Sequence, residues 1–214
     1  MFGPRMHIDM DGFAVTLKPF SKDEMAHFAR ILEKIGTKMW TNMRFGSCKE
    51  EQEERYDKIR KSENEVSWAI YPEGSECMVG VTSLHHILSL DGFAVSGIVI
   101  PDKTWWGKGV ATRAHLARTL YAADILNRVT IQSGVRTVNT GSLKALQRVG
   151  YIVTGVELRN CYRKGKYYDT YTLSWLHPER ISLLYPEGLP KEYKDGIELA
   201  QIALDKARKK VDFD

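Results

Sequence analysis

Apolar and polar positions alternate along the chain with a period that switches repeatedly between that of strands and that of helices. Phe13–Pro19 (FAVTLKP) alternates every second residue and predicts a strand. Ser21 opens an S-K-D-E pattern, with Glu24 three residues on. This reads as a capping box ahead of a helix with Met25, Phe28, Ile31 and Leu32 on one face. Residues 48–63 (CKEEQEERYDKIRKSE) place acids before bases at helical spacing and predict a solvated surface helix. Strands follow near Val66–Tyr71 and Met78–Leu84, separated by the turn PEGSE, and at Phe93–Ile100. Residues 110–126 carry Val110, Ala114, Ala117 and Tyr121 on one stripe and predict the best helix of the chain. A strand at Arg128–Ser133 and a short helix around Ser142–Val149 come next, with Gly150 at the left-handed position that ends a helix. Ile152–Arg159 and Tyr167–Leu176 read as a hairpin around CYRKGK. This order predicts a mixed α/β sheet and not a regular alternation of strand and helix.

Residues 1–176 read as one domain, and residues 177–214 as a C-terminal helical extension. Pro186 and Pro190 precede its helix-like stretch Lys191–Val211, which would cover the domain or a second copy in a homodimer. No apolar run approaches the roughly 18 residues that span a bilayer. The opening MFGPRMHIDMDG has no apolar core of a signal peptide, and the three cysteines are too scattered for a disulfide or zinc framework. A cytoplasmic protein with no membrane partner is the expectation. The 31 Lys+Arg against 27 Asp+Glu give a formal net charge of +4. Residues 101–170, however, hold 12 bases and 4 acids, a local net of +8. Such an excess suits a ligand with several phosphates, or nucleic acid.

The stretch Ile98–Thr112 (IVIPDKTWWGKGVAT) runs from an apolar strand through Gly-Lys-Gly into a helix. Glycines at a strand-to-helix junction let backbone amides converge, and the helix N-terminus adds partial positive charge, so the turn can hold an anion. It is not a Walker A loop, because Lys108 is followed by Gly109. Nor is it a dinucleotide fingerprint, because Thr112 stands at the third glycine and the strand Arg128–Ser133 offers no acid. A glycine turn that merely reverses the chain fits as well on these grounds.

With Trp106-Gly107-Lys108-Gly109-Val110-Ala111-Thr112 the chain resembles the GNAT acetyltransferase superfamily, in particular the branch that acetylates ribosomal-protein N-termini. That family's pyrophosphate loop is (Q/R)xxGx(G/A), and Thr104 departs from its first position. About 30 residues on, Asn139-Thr140-Gly141-Ser142, then Ala145-Leu146 and Val149-Gly150-Tyr151, resemble the family's second signature. The resemblance covers about residues 13–176 and implies a mixed, mostly antiparallel sheet with a central splayed parallel pair. It implies acetyl-CoA as cofactor and direct acetyl transfer to a primary amine: a protein N-terminus, a small-molecule amine or a nucleotide-borne one.

The resemblance also implies roles. Pyrophosphate would lie on the amides of Gly107–Thr112, with Trp106 and Lys108 beside it, and the pantetheine arm would pair with the backbone of Val99 and Ile100. Asn139 would hydrogen-bond that arm, or simply cap the helix that follows. Ser142 would give a proton to the departing thiolate. The positions where the family keeps an acidic base hold Val95 or Ser96, Thr130 and Cys161. The nominees that remain are Glu157 and His85, with His86, Asp91 and Asp169 as further candidates. Two other readings are an acyl-CoA-binding module without efficient catalysis and a nucleic-acid-associated protein.

Overall fold

The computed structural model describes residues 1–32 and 48–213. Its nine strands are β1 (Met6–Met10), β2 (Phe13–Lys18), β3 (Glu65–Pro72), β4 (Gly80–His85), β5 (Phe93–Val99), β6 (Thr130–Arg136), β7 (Ile152–Arg163), β8 (Lys166–Leu176) and β9 (Val211–Phe213). They form one sheet in the order β7-β8-β6-β5-β4-β3-β2-β1-β9, with every neighbouring pair antiparallel except β5 and β6. The helices among the described residues are α1 (Lys22–Leu32), α2 (Lys49–Lys61), α3 (Val110–Leu120), α4 (Thr140–Gln147), α5 (Ile181–Leu184) and α6 (Lys194–Lys210). A π-helical turn, Tyr121–Ile125, continues α3.

The helices cover both faces of the sheet because its central strands are apolar on both sides. All of β3 after Glu65 is buried. Val66, Trp68 and Ile70 point into a core shared with Ala114, Ala117 and Leu120 of α3, Leu146 of α4 and Ala200 and Leu204 of α6. The alternate positions Ala69 and Tyr71 join Val81 of β4 in a second core with Met25, Phe28 and Leu32 of α1 and Ile59 of α2. The capping box at the start of α1 is formed: the Ser21 amide donates to Glu24 Oε2 at 2.7 Å, and the Glu24 amide to Ser21 Oγ at 3.1 Å. Gln52 and Ile59 are the buried residues of α2, which leaves that charged helix largely in solvent.

β6 is shifted to Thr130–Arg136 and β7 runs on to Arg163, through half of the segment read as a turn, and two strands were not expected at all. Residues 6–10 are β1, paired with β2 through a two-residue turn in which Asp11 and Gly12 take φ of 55° and 71°. At the far end, residues 211–213 are not helical but form β9, which pairs with β1. The predicted helix Lys191–Val211 starts at Lys194, after a single 3₁₀ turn.

One ion cluster fastens the end of α6. Arg208 donates to Asp124 from Nε at 2.8 Å and from Nη2 at 2.9 Å, and also meets Glu179. The Arg208 hydrogen bond holds the Glu179 carboxyl down to about 2. A carboxyl depressed in the folded state stabilises above its unfolded value, near 4.3, and loses that contribution as the pH falls toward 2. Both side chains are more than a third exposed, so solvent screening keeps the contribution below about 1 kcal/mol. The Arg208→Ala variant is expected to lose that increment at neutral pH. Its acid denaturation curve is expected to show a shallower fall between about pH 4.3 and 2 than the parent's.

Candidate active site

β5 ends at Val99, and the chain passes into a 3₁₀ turn, Lys103–Trp105, before α3 begins. Asp102 caps that turn, its Oδ1 accepting from the Thr104 amide at 2.9 Å. Trp106 donates its indole N–H to the Ile100 carbonyl at 2.8 Å and so folds the loop back on the strand end. Gly107 and Gly109 take φ of 75° and 82°, a region that side-chain-bearing residues enter at a cost. Gly109 is the N-cap of α3, and the first helical bond runs from the Arg113 amide to its carbonyl at 3.1 Å. The amides of Val110, Ala111 and Thr112 therefore have no partner within the helix and stand at its positive end. The Lys108 ammonium lies 5.0 Å over the Trp105 ring and that of Lys103 5.8 Å over Trp106. Two cations thus flank the turn, held on aromatic faces.

Arg113 anchors the turn from below. Its Nε donates to the Phe13 carbonyl at 2.9 Å, its Nη2 to the Met10 carbonyl and its Nη1 to the Gly109 carbonyl at 3.4 Å. These bonds tie the start of α3 to the β1–β2 hairpin.

The parallel pairing of β5 with β6 is short: Phe93 faces Thr130, Ala94 faces Ile131 and Val95 faces Gln132. β6 then continues to Arg136 against β8, while Ser96–Val99 of β5 run on beside β4. The two strands part after Val95, and among the described residues no strand lies beside the β6-facing edge of β5 from Ser96 onward. α3 follows β5 and α4 follows β6, so both helix N-termini lie beyond the carboxyl ends of this parallel pair, at the mouth of the gap.

Below the gap the Gly97 carbonyl accepts from Thr82 Oγ1 at 3.0 Å and from Arg118 Nη1 at 2.8 Å. Arg118 is fully buried, with no carboxylate partner among the described residues. Burial lowers its pKa, an effect that the Tyr151 hydroxyl opposes. Burial, and then the Arg118 charge, hold His115 well below the usual imidazole range. His115 is therefore neutral, and its Nδ1 accepts from Arg118 Nη2 at 2.8 Å.

This geometry corrects the charge expectation. Of the twelve bases in residues 101–170, Arg113, Arg118 and Arg136 are buried, and Arg136 Nε donates to the Cys161 sulfur at 2.8 Å. Arg128 is spent on the carbonyls of Leu126 and Ser89. Arg159, Arg163, Lys164 and Lys166 lie on the β7–β8 hairpin, away from the glycine turn. Local sequence charge does not separate a guanidinium that satisfies buried carbonyls from one that meets a ligand, so the excess does not form one phosphate patch.

The nominated residues fall in different places. Val99, Ile100, Trp106, Gly107, Lys108, Gly109, Val110, Ala111 and Thr112 lie together along the turn. Asn139 caps α4, its Oδ1 accepting from the Ser142 amide at 3.2 Å, and Ser142 sits half-buried in the first helical turn. Glu157 does not converge with them: it is exposed on β7, two strands beyond β6, and bonds to Asn160. Asp169 accepts from the Arg159 amide at 2.8 Å, and Asp91 is exposed in the turn before β5. His86, exposed with φ of 57°, stacks on Phe93. His85 ends β4 opposite Val95, the last residue of β5 to pair with β6. Arg113 and Arg118 escaped sequence reading, and the signal for them was a base on an otherwise apolar helix.

The model of the family described as "Acetyltransferase (GNAT) domain" matches residues 14–152. The chain belongs to the GNAT acetyltransferase family. It is an acetyl-CoA-dependent N-acetyltransferase of mixed α/β fold. A Bacillus subtilis (strain 168) protein described as a probable N-acetyltransferase, YjcK, is 28% identical over 126 residues, 58% of this chain and 68% of that protein. The spermidine N-acetyltransferase of Vibrio cholerae, solved in complex with CoA and spermine, superposes with a TM-score of 0.67 at 21% identity, over 76% of this chain and 95% of its own. RimJ of Mycobacterium smegmatis, solved in complex with CoA-disulfide, gives a TM-score of 0.68 at 17% identity, over 99% of this chain and 96% of its own. At these identities the likeness to the two solved structures is one of fold.

Proposed function

We propose that the enzyme transfers the acetyl group of acetyl-CoA to the α-amine at a protein N-terminus. The convergence of the glycine turn with the gap between β5 and β6 carries the cofactor half of this reading. Pyrophosphate would rest on the amides of Gly107–Thr112, with Lys108 adding charge. The pantetheine arm would run along the open edge of β5 and take backbone bonds at Val99. The Ile100 carbonyl already accepts from Trp106, so Ile100 has its amide to offer. Asn139 holds the α4 N-terminus in shape and presents Ser142 at the end of the arm. In the reaction the amine nitrogen attacks the thioester carbon and the C–S bond breaks. The sulfur keeps the electron pair, and the Ser142 hydroxyl supplies its proton.

Two observations support an N-terminal acceptor. The RimJ likeness extends over residues 177–214, whereas the spermidine enzyme covers 76% of the chain. An α-amino group, with a pKa near 7.7–8.0, is also already partly neutral at pH 7, while a lysine-like amine near 10.4 is almost wholly protonated there.

Thiol release from acetyl-CoA, with a short free-amine peptide or with spermine as acceptor, separates the two. The peptide is expected to give a kcat/KM at least about tenfold higher, and a reversed order replaces the N-terminal reading with a polyamine one. The Ser142→Ala variant is expected to lose about 10²-fold in kcat with CoA affinity unchanged, the usual weight of a general acid. An unchanged kcat removes Ser142 from the chemistry.

A further inference from the structure

On the face of the sheet opposite α3, three polar side chains form a string leading to the gap between β5 and β6. The cross-strand pairs Glu65–His85, Ser67–Ser83 and Ser83–Gly97 put Glu65, His85, Ser83 and Gly97 on one face. That face also carries Val81 and Ala69, which pack against α1 and α2. Ser83 Oγ lies 2.9 Å from His85 Nε2, and His85 Nδ1 lies 3.5 Å from Glu65 Oε2. Glu65 is itself held by the Ser67 hydroxyl, which donates to its Oε1 at 2.9 Å. Ser83 is 7% exposed, and its Oγ stands 3.3 Å from where a Cβ on Gly97 would be. It therefore overhangs the first stretch of β5 that lacks a partner in β6. A side chain at position 97 would fill that space, and glycine leaves it open.

We propose that Ser83, His85 and Glu65 form the proton relay that serves the attacking amine, a reading that rests on the acetyl-transfer function above. The Nδ1 proton of His85 faces Glu65, which leaves Nε2 as the acceptor for the Ser83 hydroxyl. As the N–C bond forms and the C–S bond breaks, the amine proton passes to Ser83 Oγ while the Ser83 hydroxyl proton passes to His85 Nε2. His85 then returns its proton to solvent, and the sulfur takes one from Ser142, which solvent reprotonates. Glu65 touches neither substrate nor cofactor and acts as a positioning residue. Burial alone would raise its pKa, but hydrogen bonds from His85 and Ser67 hold it below the ordinary carboxylate range, so it stays an anion. The other charged groups that act on Glu65 are Arg55 on α2 and the Met1 ammonium, which donates to the Glu65 carbonyl at 2.6 Å. The face of β5 opposite His85 presents the uncharged Val95.

The test compares His85→Gln, Ser83→Ala and Glu65→Gln with the parent, using the peptide acceptor and calorimetric titration with CoA. His85→Gln is expected to lower kcat about 10²-fold and to erase the acid limb of the kcat/KM profile, with CoA affinity within twofold of the parent. Glu65→Gln is expected to lower kcat about tenfold and to move that limb instead of erasing it. Variants of His85 and Ser83 that turn over within twofold of the parent, at unchanged pH profile, overturn the relay and leave the acetyltransferase reading standing. An acetyl group found on Ser83 by peptide mass spectrometry overturns it as well, since the serine would then be a nucleophile. A parent protein that binds no CoA overturns the underlying reading.

Discussion

Gly107→Val is expected to weaken CoA binding by at least about 10²-fold while lowering the melting temperature by only a few degrees. The two effects separate because nothing lies within 4 Å of a Cβ built on Gly107, so valine meets no clash in the fold. Its cost to folding is at most that of the left-handed backbone, about 1–2 kcal/mol, and falls as the turn relaxes away from that conformation. In a chain of this size that amounts to no more than about 2–8 °C. Binding suffers more, because a β-branched residue driven out of φ 75° turns the neighbouring amides away from the anion they share. Losing about two charge-assisted bonds, at roughly 1.5–3 kcal/mol each, accounts for the factor of 10² or more. Gly109→Val should differ in kind. There a Cβ would stand 2.3 Å from Arg113 Nη1, and the guanidinium is already committed to the Phe13 and Met10 carbonyls. Isothermal titration beside thermal melts checks the contrast, and unchanged CoA affinity in Gly107→Val removes the turn from the cofactor site.

The largest expected loss of stability belongs to Gly150→Val. Gly150 follows α4 at φ 90°, and a Cβ there would lie 2.4 Å from both the N and the Cα of Ala200 in α6. Backbone atoms cannot rotate out of the way as a side chain can, so α6 must move bodily or the turn must change shape. Left-handed strain and overpacking each cost about 1–3 kcal/mol, and together they predict a loss of about 3–5 kcal/mol. Denaturant unfolding at two protein concentrations checks this. A midpoint indistinguishable from the parent's would mean that α6 does not pack on Gly150.

Gly150 shows why parts of the fold were legible in the sequence. Its place after a short helix announces a left-handed cap without any knowledge of α6. The S-K-D-E box and the alternation in Phe13–Pro19 were equally local signals, and each gave an element within a residue or two of the observed one. β1 was missed although its signal was present: Met6, Ile8 and Met10 alternate with His7 and Asp9, and Asp11-Gly12 is the favoured pair for a two-residue hairpin. The acids of that segment read as a polar stretch because one face of an antiparallel edge pair is allowed to be polar. β9 could not be read, since three residues become a strand only by finding β1 beside them.

In the candidate site the turn and the α4 N-terminus could be read because glycine, helix start and strand end are consecutive in the chain. The relay could not. Glu65 and His85 are twenty residues apart and meet only through the β3–β4 register, while Ser83 gains its meaning from a glycine on a third strand. Glu157 failed for the converse reason: a carboxylate on a strand near the motifs looks available until the strand order puts β8 and β6 between it and β5.

The most direct measurement is mass spectrometry of a mixture of free-amine peptides and spermine incubated with acetyl-CoA and the enzyme. The expected result is one acetyl group added at the peptide α-amine, with one thiol released per product. No acetylated amine and no released thiol, from a protein that binds CoA, would contradict an acetyltransferase and leave an acyl-CoA-binding module.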